Sequence, residues 1–269
     1  MTLSLCLIVK NEEEHLWRCL ESLYKHVDEI IITDTGSSDN TLSIAKKYTN
    51  KIYHFEWIDD FSAARNFCQS NATGDYILWM DGDEYFLEDD IVELKKRIIL
   101  YQNIDFFSIQ MRHIRGNSII WKREEKIKIF KNHKWYKWIW KIHEIIDAVI
   151  VSDTDGRWIN FEDIGFYHTL TIDWKYWNNI EYFMNHFEDE KNNNTVALFL
   201  LEHFLNTWDK VQIRYIIQNI SYIHWKFFDF FLSFWKKFEQ RGKFEEKKKL
   251  HTLLKKSLYI HRKIHFKNL

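Results

Sequence analysis

The chain opens on an apolar run, Leu3 to Val9, broken only by Ser4, which predicts a strand buried on both faces. Leu16, Cys19, Leu20 and Leu23 then recur at helical spacing, with Asn11 placed to cap the helix and Glu12, Glu13 and Glu14 suited to its positive end. Glu29 to Thr33 reads as a second strand that runs into a polar loop, Asp34 to Asn40. A helix over 41–48, a short strand over 51–55 and a helix over 61–72 come next, the last capped by Asp60 or Ser62. Tyr76 to Met80 is apolar or aromatic throughout and predicts another buried strand. Strands alternating with helices in this way predict an α/β fold with a parallel sheet covered on both faces. Ligands of such sheets bind beyond the carboxyl ends of the strands. The polar residues after Val9, Thr33, Phe55 and Met80 all fall there.

Further along, the pattern changes. A helix over 91–100 carries Leu94 and Ile98 on one face, and the stretches 105–114 and 118–130 flank Arg115-Gly-Asn117 as a hairpin. Residues 134–141 interleave Trp135, Tyr136, Trp138 and Trp140 with lysines. These aromatics suit either a packed sheet face or a surface that grips an acceptor. Short strands near 145–151 and 157–161 complete an antiparallel, aromatic-rich half that carries His143, Glu144 and His168.

Beyond residue 172 the periodicity is helical, with helices expected over 174–190, 195–208, 210–223, 225–240 and 244–264. The chain therefore divides into a domain over 1–172 and an all-helical domain over 173–269, the latter suited to acceptor recognition, packing or dimerisation. Residues 222–238 are apolar almost all round, so that helix is expected to be buried against its neighbours or in a homodimer. Lys226, Lys236 and Lys237 leave peripheral membrane contact as the alternative.

Composition narrows the function classes. A formal net charge of −1 argues against a nucleic-acid partner. Cys6, Cys19 and Cys68 lack metal-ligand spacing and sit among apolar neighbours, which predicts free thiols in a reducing compartment, the cytoplasm. Lys10, Asn11 and Glu12 interrupt the first apolar run too early for a signal peptide, and no 18-residue apolar window predicts a membrane span. The glycine-rich signatures of dinucleotide and P-loop sites are missing. His261 and His265 have helical ligand spacing but lie in a basic terminus, and Asp153-Thr-Asp-Gly156 reads as a hairpin turn.

Asp81-Gly-Asp-Glu84 is the strongest chemical signal. Carboxylates this close raise one another's pKa. A divalent cation such as Mn²⁺ or Mg²⁺ removes that cost and commonly takes substrate phosphates in its open positions. The competing reading is an acidic turn, since Asp-Gly is a frequent turn pair.

Four stretches in order decide between these readings: Leu7-Ile-Val-Lys-Asn-Glu-Glu13, Asp34-Thr-Gly-Ser-Ser-Asp-Asn-Thr41, Asp59-Asp-Phe-Ser-Ala-Ala-Arg-Asn66 and Asp81-Gly-Asp-Glu84. Together they resemble glycosyltransferase family 2, over about residues 1–170. The third stretch, with Lys141-Ile-His-Glu144, looks most like a bacterial subgroup that includes the glycocin peptide S-glycosyltransferases and often carries tetratricopeptide-type helices.

The resemblance implies a GT-A fold, a Rossmann-like mixed sheet, and a UDP-sugar donor. It implies that Asp34 meets the uracil edge, and that Val9, Asn11, Glu12 and Ser37 line the nucleotide. Arg65 and Asp81 would meet the diphosphate, and Asp81, Asp83 and His168 would hold Mn²⁺ or Mg²⁺. Glu144 would act as the base that deprotonates the acceptor, with His143, Glu162 and Asp163 as competitors. The implied acceptor is a peptide or protein side chain, Cys or Ser/Thr, or alternatively a surface polysaccharide or lipopolysaccharide. The reading from a different class is a non-catalytic sugar-nucleotide-binding or scaffolding protein.

Overall fold

The structure is a computed structural model that describes residues 1–115, 118–132, 136–139, 141, 145–146, 158–169, 180–189, 193–207 and 209–220, with residues 236, 249, 252 and 253. The chain divides into two compact units, residues 1–139 with 144–172, and residues 140–143 with 173–269.

The first unit alternates strand and helix as the hydrophobic pattern predicts. Its elements are β1 (Leu3–Val9), α1 (Leu16–Leu23), β2 (Glu29–Asp34), α2 (Thr41–Ala45), β3 (Ile52–His54), α3 (Phe61–Ser70) and β4 (Tyr76–Trp79). β5 (Glu84–Tyr85), α4 (Glu88–Leu100), β6 (Phe106–Arg115), β7 (Ser118–Lys131), β8 (Trp138–Ile139), β9 (Ile145–Ile146) and β10 (Trp158–Thr169) follow. Eight strands form one sheet in the order β3-β2-β1-β4-β7-β6-β10-β5, and β8 pairs with β9. The first four are parallel, so their carboxyl ends share one edge.

Alternate side chains explain why the sheet is covered twice. Leu3, Leu5, Leu7 and Val9 of β1, with Tyr76 and Leu78 of β4, pack with the apolar faces of α1 and α4. Cys6, Ile77 and Trp79 point the other way, into a second cluster with Cys68 of α3, Phe130, Tyr136 and Trp138. All three cysteines are buried free thiols.

Three expectations are corrected. Asn11 does not cap α1, which starts at Leu16 with no side-chain cap. Asn11 instead sits at φ 55 in the preceding turn, a left-handed conformation that asparagine tolerates. Second, the later half of the sheet is mixed rather than antiparallel. The hairpin β6–β7 joins β4 antiparallel through β7, but β10 runs parallel to β6. Third, β10 does not end at residue 161. Glu162 and Asp163 interrupt the apolar pattern because they ride on a bulge between Phe161 and Gly165, after which pairing with β6 resumes. Asp163 there takes Arg97 Nη1 and Nη2 at 2.8 and 2.5 Å, which lowers its pKa. Asp60 caps α3, its Oδ1 accepting from Ala63 N and from the Ser62 hydroxyl.

Glu29, at the amino end of β2, ties the opposite edge together. It accepts from Lys51, the Ser4 hydroxyl and the backbone N–H groups of Thr73 and Gly74. Burial would raise its carboxyl, but Lys51, Ser4 and Thr73 outweigh that and hold it at about 2. A depressed carboxylate pKa stabilises the fold above the unfolded value near 4.5, and the stabilisation is lost as pH falls toward 2. Acid titration of unfolding is expected to show the wild-type protein losing roughly 2 kcal/mol more than Glu29→Gln across that window, the shift being discounted for solvent screening. Equal acid sensitivity in both proteins would rule this out.

In the second unit, α5 (Ile180–Asp189), α6 (Asn194–Thr207) and α7 (Lys210–Asn219) occupy three of the expected helical stretches. Phe183 and Phe187 pack there with Val196, Leu200, Leu201, Ile213, Ile216 and Ile217. The helices expected over 225–240 and 244–264, including the aromatic stretch 222–238, lie outside the described residues. Among the described residues no helix is long and apolar enough to cross a membrane.

Candidate active site

The loops after β1 and β2 are stitched to each other at the shared carboxyl edge. Asp34 is 4% exposed, and its carboxylate accepts from Gly36 N at 3.0 Å and Ser37 N at 3.2 Å. Gly36 adopts φ 101, a conformation that glycine takes without strain. Asn11 N donates to Ser37 Oγ at 3.0 Å, and Asn11 Oδ1 accepts from Ser38 N at 2.8 Å. Thr35 N donates to Val9 O at 3.0 Å. Val9, Asn11, Asp34 and Ser37, separate in sequence, thus form one continuous wall. His54, at the end of β3, approaches the Asp34 carboxylate to 3.9 Å.

Glu12 belongs to this wall only through its backbone, which donates to Thr41 Oγ1 at 2.7 Å. Its side chain turns toward the acidic loop after β4 and lies on Gly82, where a Cβ would come within 2.9 Å of Glu12 Cγ. Burial, then Asp83 and Asp81, push its carboxyl up to about 8.

In the acidic loop, each remaining carboxylate has its own basic partner. Asp81 Oδ1 accepts from Arg65 Nη2 at 3.2 Å. Burial opposes ionisation of Asp81, yet Arg65, Lys128 and His168 overcome it and hold the carboxyl at about 2. Arg65 is buried against two adjacent indoles, its Cζ 4.3 Å from the Trp79 ring and 4.9 Å from Trp138. Asp83 Oδ2 lies 3.1 Å from His168 Nε2, while His168 Nδ1 meets His113 Nδ1 at 3.1 Å. Burial disfavours the charged imidazole, but the Asp83 bond prevails and raises the His168 pKa.

Glu84 plays a different part. It is 3% exposed, takes Lys128 Nζ at 2.7 and 2.5 Å, and accepts from Asp81 N at 2.8 Å. Burial raises its pKa while Lys128 pulls against that rise. Glu84 is therefore the clamp that closes the Asp81–Glu84 turn. Thr169 N holds the other side by donating to Asp83 O at 3.1 Å.

Two carboxylates and an imidazole are a donor set that suits Mn²⁺ or Mg²⁺. Asp83 and His168 already touch, and the Glu12 carboxyl, raised first by burial and then by Asp83 and Asp81, lies beside them. Among the described residues no three His, Cys, Asp or Glu groups are gathered closely enough to hold a metal ion by themselves. Remaining positions would fall to ligand oxygens, as hard cations at phosphate sites commonly allow.

Several of these residues carried no readable signal in the sequence. Lys128 occupies the register shift between Phe107 and Ser108 of the partner strand, so a bulge re-aims it inward. His113 is marked only by its pairing with His168 across β6 and β10. His143, Glu144, Trp135, Trp140, Asp153, Asp155, His261 and His265 lie outside the described residues.

Comparison with known proteins bears on the same region. A TPR repeat-containing protein of Synechococcus elongatus is 37% identical over 149 residues, 55% of this chain and 36% of that protein. The prophage-derived glycosyltransferase SunS of Bacillus subtilis is 32% identical over 110 residues, 40% of this chain and 25% of SunS. The chain thus spans little more than a third of the first relative and a quarter of the second. In fold it resembles S. aureus TarS 1–349, solved with UDP-GlcNAc, at TM-score 0.52 and 15% identity over 82% of each chain. The family model described as Glycosyl transferase family 2 matches residues 4–153, more than half of the sequence and all four loops that build the site, and the chain belongs to that family.

Proposed function

We propose that the chain is a metal-dependent, inverting glycosyltransferase that moves a hexose or N-acetylhexosamine from a UDP-sugar to a peptide or protein side chain. One observation carries the donor half of this reading. The Asp34–Asn11–Ser37 wall, the Arg65–Asp81 pair and the Asp83–His168 pair converge at the carboxyl edge of adjacent strands. A nucleotide-sugar needs those features in that order: base, diphosphate, cation. TarS, which shares this fold, was solved with UDP-GlcNAc.

In this reading Asp34 faces the uracil edge, with Val9, Asn11 and Ser37 lining base and ribose. Asp81, Asp83 and His168 hold Mn²⁺ or Mg²⁺, which when bound neutralises charge developing on the departing diphosphate. Arg65 faces the same diphosphate from its seat against the two indoles, a donor that is positioned before reaction. Glu144 takes the proton from the acceptor's thiol or hydroxyl as that atom bonds to the sugar's anomeric carbon. The carbon–oxygen bond to UDP breaks and UDP leaves with the electron pair. His143 stands beside Glu144 in sequence as the alternative base. The acceptor reading rests on the motifs shared with the glycocin S-glycosyltransferase subgroup, and the helices beyond residue 172 are the surface we assign to the acceptor.

UDP release from UDP-glucose and UDP-GlcNAc, with Mn²⁺ and with EDTA, tests the donor half. Mass spectrometry of Cys- and Ser-containing peptides for one added hexose or N-acetylhexosamine tests the acceptor. Glu144→Gln is expected to keep UDP affinity within twofold and lose transfer by about a hundredfold or more, the usual scale for a general base. Loss of UDP binding in that variant would move Glu144 into a structural role. Turnover with saccharide acceptors alone would favour the polysaccharide reading.

A further inference from the structure

We infer that Asn66 is a positioning residue that sets the Arg65 guanidinium through Trp138; this rests on the donor reading above. Asn66 follows Arg65 on α3 but serves a different partner. Its Nδ2 donates to Trp138 O at 2.8 Å and its Oδ1 accepts from Trp138 N at 2.9 Å. One side-chain amide thus satisfies both backbone groups of one residue, the service a neighbouring strand would otherwise provide. One helical turn later, Gln69 Nε2 donates to Tyr136 O at 2.9 Å and holds the approach to the same segment.

The consequence is carried by the Trp138 ring. With its backbone seated on Asn66, the indole lies 5.2 Å from Trp79, and Arg65 occupies the space against both rings. An arginine side chain ordinarily loses considerable rotamer freedom when it binds an anion. Here two π faces have removed much of that freedom beforehand and leave Nη2 directed at Asp81. Pre-organisation of this kind strengthens binding by lowering the ordering cost. It acts on the diphosphate-facing group only, because the nucleoside wall of Asn11, Asp34 and Ser37 is built from other loops. Asn66 touches neither Asp81 nor that wall in any bond the structure gives it, so its influence runs through Trp138.

Titration with UDP and, by competition, with uridine separates the two effects. Asn66→Ala is expected to weaken UDP about tenfold, the scale of a partly desolvated cation–π contact, and to leave uridine within twofold. Trp138→Leu, which keeps an apolar side chain in the core but no π face, should reproduce that selective loss, and Trp138→Phe should restore most of the UDP affinity. The Trp138 Nε1 makes no hydrogen bond among the described residues, so neither substitution strands a partner. In an Arg65→Ala background, Asn66→Ala should have no further effect on UDP, since residues acting through one group are non-additive. Equal weakening of UDP and uridine, or a full tenfold loss that persists without Arg65, overturns the assignment. If the wild-type protein binds uridine but not UDP, the donor reading itself fails, a result separable from any behaviour of Asn66.

Discussion

Asp83→Ala is expected to reduce UDP-sugar turnover about a thousandfold while the protein stays folded. The size follows from the several kcal/mol that a cation contributes as a Lewis acid, at about 1.4 kcal/mol for each tenfold. The selectivity follows from the structure. The Asp83 carboxylate meets only His168 among the described residues, and His168 retains its second contact to His113 after the change. The backbone bond from Thr169 N to Asp83 O does not depend on the side chain. Turnover and the Mn²⁺ requirement should therefore collapse together, with the thermal midpoint shifted by no more than a few degrees. Undiminished metal-dependent turnover would remove Asp83 from the cation site, and a large loss of stability would make it a structural residue.

Lys128→Met is expected to do the reverse, destabilising the fold by about 3–5 kcal/mol at neutral pH. Lys128 and Glu84 side chains are 7% and 3% exposed, so removing the ammonium leaves a carboxylate buried without its counter-ion. The sign of the pH dependence is set by that carboxylate. Its folded pKa is raised, so the penalty is full above the folded value, fades as pH falls toward the unfolded value near 4.5, and is gone below it. The Lys128→Met/Glu84→Gln double variant should recover much of the loss, because a neutral pair costs far less to bury than one bare charge. Denaturant titrations of the wild-type protein and the two variants measure this. A single-variant loss below 1 kcal/mol at pH 8 would show that water reaches the pair. Recovery of stability by the double variant without recovery of UDP binding would separate folding of the turn from its function, since Glu84 also holds Asp81 N.

These two residues illustrate how differently the site was written into the chain. Asp83 is legible because it follows a buried strand in a short acidic motif, and its place at the sheet's carboxyl edge follows from strand–helix alternation alone. Lys128 is not legible. In a hairpin strand that alternates lysine with isoleucine, nothing distinguishes the lysine that a bulge turns inward from the less buried Lys126 and Lys131. Glu84 reads in the sequence only as one more carboxylate of the acidic motif, and its contacts with Lys128 and Asp81 N make it the clamp. Asn11 reads as a helix cap because asparagine before an amphipathic run usually is one. The pairing of its side chain with the neighbouring loop, 27 residues away at Ser38, decided otherwise.

The sequence by itself determined the parallel half of the sheet and the four loops at its carboxyl edge. Burial periodicity and helix-forming segments act locally, so they are visible in a window of ten residues. The motif order in those loops also determined the family. Tertiary structure alone decided the direction of β10, the turn of Glu12 toward Gly82 and the seating of Trp138 on Asn66. Each depends on a partner more than 50 residues distant, and the energy that selects it comes from packing and hydrogen bonds that no local pattern contains.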